Sequence, residues 1–586
     1  MMIVNDREKL NSVIPALLSC NKPTIDVLVT GDNFFGNTKE GKDMLVSITV
    51  YDGKESYYFP FRHAEGENAP LALLSFFGVF LNNDSRVYEC WDSKTILHAL
   101  RNDNIGMPPN NIMDGMLGLH LFSENEESLD IRDVRVKYQL CDPAYMEGVL
   151  YDGLKIKCKE LGLKVGNSDM RYQMYLLPPE VVAPYACKRA EVIHNAVGFL
   201  TQALMQDDSY EVWQQVNLYA YVTAKMEEAG FYINTETLDA YAEEAEMNYS
   251  LISTALSQEA GNTINPMSSE QICGVFGIQT SSKDVLQSIA EEGSKWSGMA
   301  QKVLDARAWK SVCSRYYSPY RTKIDRSGAL HCTFDLTGTY TGRSSCSNPN
   351  LQAVAKKTDV FKVKDIFEAR AGYTLIQADY KQAELRLATF YIQDEELTNL
   401  FESGADLHDA TAEALNMPRH VAKQINFSVI YGVGAGTLAK IAKISEDEAK
   451  EYIENYHVSH PGFRALTQKC EDIAAYDKRL ELWSGRKRHF RSPKDVPHKA
   501  MANLIQGGVA EIVRVAATKL HFALQDIGGR LILQVHDSLI AEVPDNSLSV
   551  ALPLMYEVMC DFPFTPSVDV DMCYGKCWGE MEDWRP

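Results

Sequence analysis

The sequence predicts a multidomain chain in which an α/β segment precedes a longer α+β one. Three observations carry that expectation. At 586 residues the chain exceeds what one hydrophobic core serves. Residues 1–195 alternate strand-like runs with helical stretches, and residues 196–325 are almost wholly helical. After residue 330 strand-like and helical runs mix again, and aspartates interrupt two apolar runs.

The elements follow in order. IDVLVT (25–30), LVSITVY (45–51) and ESYYFPF (55–61) are rich in β-branched and aromatic residues and read as strands. AVGFLTQALM (196–205), EVWQQVNLYAYVTAKMEEAG (211–230) and MNYSLISTALSQEAG (247–261) repeat apolar residues at three and four, the helical spacing. Strands return in LHCTFDLTGTYTG (330–342) and YTLIQADY (373–380), followed by the helix KQAELRLATFYIQ (381–393). Residues 395–480 read as helical. The helix AMANLIQGGVAEIVRVAATKLHFAL (500–524) precedes the strands RLILQVHDSLIAEV (530–543) and PSVDVDMCY (566–574). No repeat or low-complexity linker interrupts this order.

With 45% apolar and 23% charged residues the composition is that of a globular protein. No run of about 18 apolar residues is available to span a membrane. The start, MMIVNDREKLNSVI, lacks the apolar core of a secretory signal. The 13 cysteines show no zinc-like pairing, and Cys573 and Cys577 in CYGKC lack nearby His or Cys partners. Scattered thiols of this kind suit a reducing compartment. The net charge of −21 runs against a nucleic-acid footprint, but that test concerns the local surface. Two basic clusters could line a phosphate track: Arg486, Lys487 and Arg488, and Lys356, Lys357, Lys362 and Lys364. The alternative for each is a solvated surface.

The most informative segment is RHVAKQINFSVIYG (419–432), one helix that starts after Pro418 and ends at Gly432. Arg419, Lys423, Phe427 and Tyr431 stand four apart, drifting about 40° per step, and share one face over roughly 18 Å. Two cations and then two rings match the triphosphate, sugar and base of a nucleotide laid along the helix. Taken alone, the two cations also suit a plain surface helix.

Two aspartates break apolar runs. Asp379 ends TLIQAD just before a helix opens, and Asp537 follows His536 at a tight turn between two strands. A carboxylate in that setting is costly unless paired or metal-bound, with a turn residue as the plainer reading. Together with the cation-and-ring helix, the pair suits two Mg²⁺ ions about 3.5–4 Å apart and phosphoryl transfer.

These segments resemble family A DNA polymerases, the group containing bacterial DNA polymerase I and several phage replicases. DYKQAELR (379–386) is similar to the first catalytic motif, RHVAKQINFSVIYG to the nucleotide-binding helix, and QVHDS (534–538) to the second catalytic motif. TYTGRSSCSNPNLQ (339–352), GADLHDATA (404–412) and ANLIQGGVAEI (502–512) resemble three further family segments, in the same order. The likeness covers residues from about 200 to the end.

The resemblance implies an RNase H-like 3′–5′ exonuclease-type domain followed by a right-hand polymerase. The expected boundaries are 1–195 for the exonuclease-like domain, 196–330 for the thumb, and 331–394 for the first part of the palm. The fingers take 395–490 and the second part of the palm 491–586. It implies that Asp379, Asp537 and the Tyr380 carbonyl hold two Mg²⁺ ions, for which Mn²⁺ can substitute. Arg419, Lys423, His408 and Gln382 belong to the nucleotide site, with Lys423 as general acid to the leaving pyrophosphate. Phe427 packs on the sugar, a residue that disfavours dideoxynucleotides. Tyr431 stacks near the templating base, and Glu384 crowds the ribose 2′ position. Arg343, Asn350, Gln352, Asn503, Gln506, His536 and Lys499 are the expected DNA contacts, several at minor-groove acceptors that vary little with sequence. The chain departs from the family at Ser538, where Glu is usual, at Lys381, where a small residue is usual, and at Lys499, where Arg is common.

In the amino-terminal third the family's four nuclease carboxylates are mostly missing. Asp26 stands in the first strand, but Leu28, Ile96 and Arg189 occupy the other three positions. A two-metal nuclease does not run on one carboxylate, so the domain is expected to be an inactive relic. The alternative is a rearranged active site using Asp92, Asp114 or Glu89. The expected partners are primer–template DNA and dNTPs, with the chain as a monomer, away from membranes, in a bacterial or infected-cell cytoplasm; an organelle stays open. The expectation is of no 5′-nuclease domain before the exonuclease-like segment and no processivity loop in the thumb segment, which suits a compact phage or bacterial replicase or gap-filler in replication or repair. Rival readings are a single-subunit RNA polymerase, opposed by Glu384 and the TGR–PNLQ segment, and a catalytically dead DNA-binding protein.

Overall fold

The computed structural model describes residues 1–36, 41–140, 147–162, 171–414, 417–431, 433–491 and 495–586, apart from the side chains of 147–151, 427, 429 and 430. A six-stranded mixed sheet opens the chain. Its order is Met2–Ile3, Ser56–Pro60, Leu45–Tyr51, Thr24–Val29, Tyr88–Cys90, Ile112–Asp114. The strand Thr24–Val29 is buried at all six positions, with Ile25, Val27 and Val29 on one face and Thr24, Asp26 and Leu28 on the other. It pairs antiparallel with Leu45–Tyr51 and parallel with Tyr88–Cys90. The helix Pro179–Gln206 packs along this sheet and continues through residue 195 without a break.

The helical stretch centres on Thr235–Ala260 and Ser297–Val312, which pack side by side. Leu256, Ile264, Ile272, Leu286, Met299 and Val303 form a small separate core there.

The second sheet is antiparallel, in the order Arg530–Val535, Ser538–Pro544, Tyr373–Tyr380, Val570–Cys577, Glu580–Trp584. Tyr373–Tyr380 is its centre, which explains its apolar run. The helix Ala500–Gln525 packs on it and on Ala383–Ile392. Gly508 permits that approach: a Cβ there would lie 2.4 Å from Leu387 Cδ2. Among the described residues, no helix is long and apolar enough to cross a membrane.

Candidate active site

The central strand carries Asp379 to its end, directly opposite Ser538 on one neighbour and Asp571 on the other. The Tyr380 N–H donates to the Asp537 carbonyl over 3.2 Å, so the two aspartate-bearing segments are joined by backbone. The Tyr380 hydroxyl is occupied by the Met559 carbonyl at 2.9 Å. His536 takes φ +55° and is exposed, which turns the chain sharply before Asp537.

A buried amide network holds that turn. The Gln534 side chain donates to the His536 carbonyl, and its Oε1 accepts from Gln352 at 2.8 Å and Ser344 at 2.6 Å. Gln352, expected to contact DNA, is therefore turned inward and spent on this network. Gln534 was not among the expected site residues, although a glutamine inside the apolar run RLILQV was its signal.

Asp379 has one buried carboxylate oxygen without a hydrogen-bond partner. Burial raises its pKa to about 6, aided by the Asp537 and Asp571 carboxylates and opposed by Lys364 and Lys356. Adjacent carboxylates with an unpaired buried oxygen form a hard-oxygen donor set that fits Mg²⁺. Among the described residues no cluster of three or more His, Cys, Asp or Glu has metal-holding geometry. The two neighbouring carboxylates, Asp379 and Asp537, with the Tyr380 carbonyl beside them, are the donors that could hold a metal here.

The helix Arg419–Tyr431 buries Val421, Ala422, Ile425 and Asn426 and leaves Arg419 and Lys423 exposed. Arg419 is held by Asp406 at 2.6 Å and Asp409 at 2.7 Å. His408 is buried, and its Nδ1 accepts from Asn426 at 2.9 Å. Burial lowers its pKa, so it joins this helix to Leu407–Ala414 as a neutral ring rather than standing out as a cation. The Phe427 side chain and Gly432 lie outside the described residues.

At the other end of the helix, the half-buried Tyr431 donates its hydroxyl to Glu384, and Arg343 donates to the other Glu384 oxygen at 2.7 Å. Burial and then the Glu384 charge push the Tyr431 hydroxyl well above its ordinary pKa. Gln506 also faces that hydroxyl. Asn503 donates to the Lys499 carbonyl at 2.6 Å, and its own oxygen is buried without a partner. Gln382 opens its helix at φ +49°, with its side-chain oxygen likewise unpartnered. Asn350, Lys499 and His536 are exposed.

The first basic cluster departs from both expectations, whereas in the second Lys356 and Lys357 are exposed. Arg486, Lys487 and Arg488 are buried, not solvated or lined up for phosphate. Arg486 pairs with Glu511 at 3.5 Å, and Arg488 pairs with Glu124 at 3.4 Å and Asp495 at 2.5 Å. In the second cluster Lys357 pairs with Asp365 and Lys362 with Glu244. Glu124 and Glu244 come from segments remote in sequence, and spacing along the chain gives no sign of those two pairings.

In the amino-terminal sheet, Arg189 Nε donates to Asp26 at 2.8 Å, and the two line a cavity of about 270 Å³. Leu28 and Ile96 are buried apolar residues. The alternative carboxylates are engaged. Asp114 accepts from three backbone N–H groups, of Asp92, Ser93 and Met116, and Glu89 accepts from Thr24 and His194. Asp92 caps the helix Ser93–Asn102 and accepts from the Thr95 hydroxyl.

The family model for DNA polymerase family A matches residues 235–580. The chain belongs to DNA polymerase family A. Its relatives include the thermostable DNA polymerase I of Thermus filiformis, 31% identical over 392 residues, which are 62% of this chain and 47% of that protein. DNA polymerase I of Chloroflexus aurantiacus is 27% identical over 455 residues, 71% of this chain and 48% of that one. The chain spans about half the length of the curated relatives it matches. The polymerase domain of Pol1 from M. smegmatis, solved in complex with DNA primer-template and dNTP, superposes with a TM-score of 0.81 at 22% identity over 99% of each chain. This family A chain therefore has the family's polymerase-domain fold, of mixed helices and sheets.

Proposed function

We propose that the chain is a template-directed DNA polymerase that joins dNTPs to a primer 3′-hydroxyl. The observation that carries this reading is the unpartnered buried oxygen of Asp379, bound by strand pairing to the Asp537 turn. In this reading residues 196–330 are the thumb, 331–394 and 491–586 the palm, and 395–490 the fingers. Asp379, Asp537 and the Tyr380 carbonyl would hold two Mg²⁺ ions, which when bound would lower the pKa of the primer hydroxyl and neutralise charge on the leaving phosphates.

The protein's own groups do the rest. Arg419 and Lys423 take the triphosphate from solvent, where Arg419 exchanges Asp406 and Asp409 for phosphate oxygens. Lys423 gives a proton to the departing pyrophosphate oxygen. Glu384 keeps the sugar pocket closed to a 2′-hydroxyl while tying Tyr431 to Arg343. Arg343, Asn503 and Gln506 meet minor-groove acceptors of the terminal pairs, and His536 stands by the primer end.

We infer further that residues 1–195 are an RNase H-like relic without proofreading activity. The strand order of the first sheet supports the fold, and the Arg189 guanidinium on Asp26 supports the loss, because it supplies the counter-charge a metal would.

Primer extension with Mg²⁺ tests the first reading: wild type extends and Asp537→Ala does not. No extension by wild type, or undiminished extension by D537A, overturns it. A labelled single strand incubated without dNTPs tests the second, and its degradation would refute the relic.

A further inference from the structure

The loop Leu336–Arg343 carries Arg343 to the site, and Leu336 at its start packs both on the core that includes the sheet of Asp379 and on the core behind the amino-terminal sheet. Leu336 packs into a core built around Trp91, Leu117 and Trp213. The buried His120 ring faces the Thr339 backbone. The Tyr340 ring receives the Arg488 guanidinium at 5.2 Å, and Arg488 is paired with the buried Glu124 at 3.4 Å. Before the loop, Lys94 donates to the Phe334 carbonyl and to Glu227 at 2.5 Å, while Glu227 accepts the Phe334 N–H at 2.5 Å. The segment before the loop and Tyr340 within it are therefore held through charged side chains, of which Lys94 and Glu124 belong to the amino-terminal unit.

We propose that Glu124, acting through Arg488, and Lys94, acting through Phe334, are positioning residues that hold Arg343 for primer–template binding. The amino-terminal unit then serves as part of the seat of the primer-binding loop. Buried ion pairs suit this task, since each partner left alone is penalised and the register has few alternatives. The inference rests on the polymerase reading above.

The test measures the Kd of a fluorescent primer–template duplex by anisotropy, without dNTPs, on the full chain. Glu124→Gln is expected to raise Kd about tenfold while kcat and the dNTP KM at saturating DNA stay within about twofold. In an Arg343→Ala background E124Q is expected to add less than about twofold, because coupled residues are non-additive. Asn125→Ala is measured in parallel. It removes only the 2.7 Å bond to Asp495 and leaves the buried charges paired, so it keeps the test decisive and should shift Kd in the same direction. An unchanged Kd in both variants, or effects of E124Q and R343A that multiply, overturns the proposal. Failure of wild type to extend primers would instead sink the polymerase reading, since anisotropy needs no turnover.

Discussion

The guanidinium of Arg189 donates to the carboxylate of Asp26 over 2.8 Å, with both side chains largely withdrawn from solvent. Removing one partner of such a pair leaves a buried charge uncompensated. Arg189→Ala should therefore lose about 3–5 kcal/mol of stability in the amino-terminal unit. Denaturant unfolding followed by tryptophan fluorescence reads this loss, and an unchanged first transition would contradict it. Arg189→Asp should not create nuclease activity, since Leu28 and Ile96 remain apolar.

The junction around His489 should make stability depend on pH. Both ring nitrogens face carboxylates at 3.4 Å, Glu124 on one side and Asp207 on the other. Burial disfavours the charged ring, but Asp207 and Glu124 outweigh it and raise the pKa, against Arg491. Burial also disfavours the Asp207 charge, yet His489, Ser209 and Arg479 outweigh it and hold its pKa well below the usual carboxylate range. The His489 contribution is complete below its unfolded pKa near 6.5 and fades as pH rises through its higher folded value. The Asp207 contribution is complete above about pH 4 and fades in stronger acid. The Tm difference between wild type and His489→Gln should thus be largest near pH 5 and shrink on the alkaline side. A difference that stays flat from pH 5 to 8 would rule this out.

Lys423 stands exposed on the helix that also presents Arg419. As general acid to the leaving group it should be worth about 10²–10⁴ in rate. Lys423→Ala is expected to lower single-turnover incorporation by that factor, with a smaller rise in dNTP KM. A fall below about tenfold would exclude the proton-transfer role.

Gly342 takes φ +79°, and a Cβ there would lie 2.6 Å from the Arg486 guanidinium carbon. Arg486 is buried and paired with Glu511. Gly342→Ala should cost about 1–2 kcal/mol for the left-handed backbone alone and displace Arg486 as well. A lower Tm together with weaker primer–template binding is the expected result. Unchanged values for both would show that the loop tolerates the methyl.

Much of the scaffold was legible because strand and helix periodicity are local. LVSITVY and YTLIQADY form strands at the expected residues, and the long helix Ala500–Gln525 runs almost as read. Strands of two and three residues, such as Met2–Ile3 and Ile112–Asp114, were not legible. They are too short for a periodic pattern and exist by pairing with distant partners. At the site, Asp379, Arg419 and Lys423 were visible as residue types in order. The inward turn of Gln352 and the burial of His408 were not, because each depends on a neighbour supplied by another segment.

By itself the sequence determined the family, the order of the elements and the two aspartates that end in one place, since these follow from residue identity and spacing along the chain. Tertiary structure alone decided what the basic residues do. Arg488 meets Glu124 across 364 positions and Arg189 meets Asp26 across 163. The physical reason is that a charge acts on whatever lies within a few ångströms once water is excluded, and only folding settles which residue that is.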